Sequence, residues 1–81
     1  MKYKFTKIKN NHNALRDNVI ICDTCSDITV GDSVSLTAPG RDFEGSTRLI
    51  ETSIIESIEI IGDKITRVTT QSGSIYEIEK I

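Results

Sequence analysis

Ser53-Ile54-Ile55-Glu56-Ser57-Ile58-Glu59-Ile60-Ile61 is the stretch whose conformation decides the fold. Two periodicities compete in it. Ser53 and Glu56 have the spacing of a capping box, in which both side chains satisfy free N–H groups at a helix start. Ile54, Ile55, Ile58 and Ile61 would then share a helical face, with Gly62 placed to end the helix. Against this, five of the eight residues 54–61 are isoleucine. A β-branched side chain loses rotamer freedom in a helix, and a segment this short gains little after the costly first turn. Ile58 and Ile60 also alternate with Ser57 and Glu59, the period of an extended strand. The strand reading is preferred, and it makes the whole chain a β protein.

Towards the C-terminus the pattern continues. Gly62-Asp63 suits a two-residue hairpin turn, and residues 64–70 form a Thr- and Val-rich strand. Gln71-Ser72-Gly73-Ser74 is turn chemistry. In the final strand, residues 75–81, Tyr76 and Ile78 share one face; Ile75, Glu77, Glu79 and Ile81 share the other.

Towards the N-terminus, residues 37–47 hold Pro39-Gly40, Arg41-Asp42 and Glu44-Gly45-Ser46. They form the longest loop, and long loops in small domains often carry function. Residues 28–36 hold Gly31-Asp32, which reads as a turn leading into a strand, with Val30, Asp32, Val34 and Leu36 on one side. Residues 19–22 read as a short strand and residues 23–27 as a turn. Residues 10–18 are a polar connection with room for one helical turn at 14–17. Tyr3 and Phe5 alternate with Lys2 and Lys4; the phase slips at Thr6, so Ile8 requires a bulge or a strand end. If the terminal strands pair, Lys2 and Lys4 face Glu77 and Glu79.

The expected fold class is therefore mainly β: a small SH3-like or OB-like barrel of five to six short antiparallel strands, with at most one short helix, over a single domain spanning residues 1–81. A chain this small buries too little surface for a deep internal site, so sites are expected on a rim, on a loop or between subunits. The formal charge of −2 argues against nucleic acid as the first partner to consider. With no apolar run of membrane-spanning length and no signal-like N-terminus, the expectation is a cytoplasmic protein without a membrane partner.

Cys22-Asp23-Thr24-Cys25 has the spacing of half a zinc knuckle, but no second C-x-x-C exists and His12 is the sole histidine. The pair is read as ordinary thiols, with no metal and no cofactor. No Ser-His-Asp or Cys-His arrangement and no phosphate-binding glycine loop is present, so an enzyme is not expected. Lys2, Tyr3, Lys4, Phe5, Lys7 and Lys9 could serve a nucleic-acid-binding strand by stacking and phosphate pairing. Strand alternation instead makes the aromatics core and the lysines a solvated edge.

A recognition set remains in the 39–53 loop and the C-terminal hairpin. Arg41, Arg48 and Arg67 offer forks for anionic groups, Phe43 and Tyr76 offer rings for stacking, and Thr70 and Ser72 offer hydroxyls. These groups suit a phosphorylated, ring-bearing ligand. The competing view is that the Thr and Ser residues simply form good strands and turns.

Thr52-Ser53-Ile54-Ile55, then Gly62-Asp63, then Val68-Thr69-Thr70-Gln71-Ser72-Gly73-Ser74-Ile75-Tyr76-Glu77-Ile78 resembles a pattern in small phage-encoded β-barrel proteins, over residues 48–79. Some such proteins counter host defence as non-enzymatic sponges that sequester cyclic-nucleotide signals, often as homo-oligomers with sites between subunits. The resemblance implies a binding module of phage or mobile-element origin that holds a nucleotide-like ligand. The alternatives are a protein-binding inhibitor or adaptor of a host factor, and a nucleic-acid-binding barrel.

Overall fold

A computed structural model describes residues 2–9, 18–40 and 45–81. Among these residues eight strands are seen: β1 (Tyr3–Lys9), β2 (Val19–Cys22), β3 (Thr24–Cys25), β4 (Ser35–Pro39), β5 (Thr47–Glu51), β6 (Ile55–Ile60), β7 (Ile65–Thr70) and β8 (Ile75–Lys80). They form a five-stranded sheet, in the order β2-β1-β8-β7-β6, and a three-stranded sheet, β3-β4-β5. All pairings are antiparallel.

Residues 55–60 are extended, so the competing helix over 53–61 does not form. The reason lies in packing. As a strand, the segment buries Ile55 at one end and adds a rung to β7, where Ile58 stands opposite Val68. A register shift between Ile55 and Ser57 absorbs one extra residue.

The mainly β class holds, but the barrel takes the form of two open sheets. At two corners the chain passes from one sheet to the other. Asp23 separates β2 from β3, and residues 52–54 separate β5 from β6. Backbone bonds pin the corners: Asp23 N–H reaches the Thr37 carbonyl at 2.7 Å, and Ile55 N–H reaches the Asp32 carbonyl at 3.0 Å. The core lies between the sheets. Phe5, Tyr76, Ile78 and Val68 contribute from the larger sheet and Leu36 and Ile50 from the smaller. The Phe5 and Tyr76 rings stack with centroids 4.9 Å apart.

The terminal strands pair as expected, with Lys4 opposite Glu79 and Thr6 opposite Glu77. Lys2 departs from expectation and ion-pairs with Asp23 at 3.1 Å. The register shifts between Lys7 and Lys9, at the expected slip, and Ile8 is left half exposed.

Three local expectations change. Residues 28–34 form no strand, and β4 begins only after the turn at Gly31: Val30 is exposed, and burial alternates only from Val34 through Leu36 and Ala38. The loop read from residue 37 starts later, because β4 continues to Pro39. The Gly62-Asp63 turn is longer than two residues: Ile61 N–H bonds the Ile65 carbonyl at 3.2 Å, enclosing Lys64 as well. The helical turn expected at residues 14–17 lies outside the described residues.

Candidate functional site

Of the recognition set read from sequence, the described Arg48, Arg67 and Tyr76 are not brought together. Arg67 lies on the outer face of the larger sheet, in a row with Glu77 and Glu59. Its guanidinium bonds Glu77 at 2.8 Å and approaches Glu59 at 3.5 Å. The Glu77 hydrogen bond, opposed by desolvation and aided by the charges of Glu77 and Glu59, raises its pKa above the ordinary arginine value. Arg48 lies on the other sheet, opposite Ala38 on the face turned to the core, where its charge is felt by Cys22. The two guanidinium groups thus serve different faces of the molecule.

Tyr76 is also no stacking platform. It is buried, on Val68's row, against Phe5. Arg41 and Phe43 lie outside the described residues.

The hydroxyls of the resemblance do come together, as a structural device. Thr70 Oγ1 accepts the Ser74 N–H at 3.1 Å and lies 2.9 Å from Ser72 Oγ, which donates to Ser53 Oγ at 3.2 Å. Thr52 Oγ1 accepts the Val34 N–H at 3.0 Å. These bonds tie the β7–β8 turn to the β5–β6 corner. Gly73, at φ 89°, supplies the left-handed residue that a three-residue hairpin loop needs.

The thiols are likewise placed by packing. Cys22 is fully buried on β2 and Cys25 partly buried on β3, on either side of the corner at Asp23. Burial raises the Cys22 pKa, with Arg48 lowering it and Asp23 adding a smaller upward push. Cys25 is pushed from 9.0 to about 11, first by burial and then by Cys22 and Asp27, against a lowering by Lys80. Both stay protonated near neutral pH, when a thiolate would be the nucleophile or ligand. Among the described residues no group of three or more His, Cys, Asp or Glu is placed to hold a metal ion; His12 is outside them.

A cleft does form at the end of the core where β1 begins and β8 ends. It encloses about 280 Å³ and is lined by Tyr3, Cys25, Ser26, Asp27, Ile28, Lys64, Thr66, Ile78 and Lys80. Its origin is topological. β3 is two residues long, so the smaller sheet stops short and leaves Tyr3 and Thr66 on the inner face half-buried, beside the buried Ile78. Register then builds the rim. Tyr3 stands opposite Lys80, and Lys80 N–H bonds the Lys64 carbonyl at 3.0 Å, which holds the two lysines at neighbouring positions on β8 and β7. Asp27 comes from the segment after β3.

The cleft therefore has a floor of Tyr3, Ile28 and Ile78 under a rim of two cations and one carboxylate. Neither lysine is ion-paired to a carboxylate of the described residues. Small-molecule sites combine an apolar wall with a few convergent polar groups, and at about 280 Å³ this cleft falls just below their usual range of roughly 300–1,000 Å³.

The sequence does not single out these residues, because residues 26–28 read as turn and strand and hydropathy does not show which strand ends meet. One signal pointed to the rim. Once Lys4 is set against Glu79, the neighbouring pair must be Tyr3 and Lys80. Comparison with family models, with curated proteins and with solved structures finds no match.

Proposed function

We propose that this chain is a non-enzymatic binding module that takes a small, anionic, ring-bearing ligand of nucleotide type in the cleft beneath Lys64 and Lys80. The cleft itself carries the reading: an apolar floor in a space of about 280 Å³, beside two cations with no carboxylate partner among the described residues. The ring would lie against Tyr3 and Ile78. The ammonium groups would meet phosphate, and Asp27 would accept from an amino group on the ring.

The protonated Cys25 thiol at the wall favours holding the ligand over attacking it. A ligand held without cleavage is sequestered. That agrees with the role implied by the hairpin's resemblance to phage proteins, which is to withdraw a nucleotide-like signal from a host's defence.

Calorimetric titration with a panel of mononucleotides, cyclic mononucleotides and cyclic dinucleotides tests the reading. It predicts heat with at least one of them. Affinity should fall about tenfold for each of Lys64→Ala and Lys80→Ala, the worth of one charge-assisted hydrogen bond. Absence of heat across the panel, or binding indifferent to both substitutions, overturns it.

A further inference from the structure

Among the described residues β5 is a sheet edge paired only with β4, and its geometry is complementary to itself. Its hydrogen-bonding phase follows from two flanking bonds: Gly40 N–H to the Ser46 carbonyl at 2.8 Å, and Thr52 N–H to the Val34 carbonyl at 3.0 Å. Antiparallel pairs alternate between bonded and non-bonded. Counting inward, Arg48 and Ile50 bond to β4, through Ala38 and Leu36. Thr47, Leu49 and Glu51 therefore direct their N–H and C=O groups away from β4, towards the open side. Leu49 also presents an apolar side chain, 65% exposed, on the outer face of the sheet.

Other edges are less open. β6 is blunted by its register shift, by the 31–32 turn bonded to Ile55, and by Glu56 and Glu59. β2 spans four residues and runs into the corner at Asp23, which is bonded to β4. β5 pairs with β4 without a register shift and holds an apolar residue at its centre.

We propose that β5 pairs antiparallel with β5 of a second copy of this chain, about a two-fold axis through Leu49. In that register Leu49 faces its own equivalent, Thr47 faces Glu51, and Arg48 faces Ile50. No like charges stand opposite each other, and the threonine hydroxyl meets a carboxylate. The Leu49 and Thr47–Glu51 pairs all fall at positions that exchange N–H···O=C bonds. The same register removes Leu49 from water on both copies and joins two three-stranded sheets into one. A foreign strand would need this same pattern to match as well; the chain already carries it. The proposal is independent of the ligand cleft, which lies away from β5.

Sedimentation velocity over a concentration series, combined with backbone amide exchange, tests it. The expected result is a mass that doubles with concentration while exchange slows at the amides of Thr47, Leu49 and Glu51. Leu49→Lys abolishes the dimer. Ile60→Lys, at the 78% exposed residue of the β6 edge, leaves it intact. A monomer up to millimolar concentration, a dimer in which those amides still exchange freely, or a dimer that survives Leu49→Lys overturns the proposal.

Discussion

Burial rather than residue type sets the chemistry of Cys25. Its pKa stands at about 11 against an ordinary 9.0, chiefly because the thiolate is poorly solvated where it sits. The unfolded chain releases this proton before the folded one does. Its contribution to stability is therefore complete below pH 9 and is lost as pH rises from there towards about 11. Urea unfolding at a series of pH values should show that decline, and Cys25→Ser should flatten part of it. Thr70 gives a second case. Its hydroxyl serves the buried Ser74 N–H, so Thr70→Val should cost about 1–3 kcal/mol in the same assay, the penalty for stranding a buried donor. Sequence showed Thr70, Ser72, Tyr76 and Arg67 to be a notable group, but not which way each one faces. On a strand, one step of register moves a side chain from core to solvent. Arg67 fell outward among glutamates, and Tyr76 fell inward against Phe5.

Among the elements, β6 is the most informative. Only its first residue is sealed: Ile55 is 1% exposed and Ile60 is 78% exposed. Ile55→Ala should therefore cost about 2–5 kcal/mol, as for a cavity in a packed core. Ile60→Ala should stay within about 0.5 kcal/mol. A helix over 53–61 would instead have grouped Ile54, Ile55, Ile58 and Ile61, and their substitution costs would rank together. Denaturant midpoints for this isoleucine series distinguish the two patterns. The β7–β8 turn makes a similar demand on backbone: Gly73→Ala places a side chain at φ 89° and should cost about 1–2 kcal/mol. Alternation was legible wherever both sheet faces had distinct neighbours, as in β1 and β8, and even the slip at Ile8 could be anticipated. Of residues 28–34, only the turn at Gly31-Asp32 was legible. Their apolar residues alternate like a strand, yet the chain there spends its backbone groups on a turn at Gly31 and on bonds to Ile55.

At the scale of the whole molecule, two sheets of unequal size share one core, and the mismatch creates the cleft. Five strands supply a wider inner face than three can cover, and the shortfall lies beside the two-residue β3. The mainly β class could be read from spacing and turn residues. The division into two sheets could not, because corners depend on which backbone groups bond across them, not on hydropathy. The proposed function rests on that cleft floor and its two lysines. Chemical-shift mapping of the labelled protein during titration with the tightest nucleotide of the panel probes it residue by residue. The account predicts perturbations gathered on Tyr3, Ile28, Lys64, Thr66, Ile78 and Lys80, saturating together. Perturbations centred instead on Arg48 or Arg67, or none at saturating ligand, would contradict it.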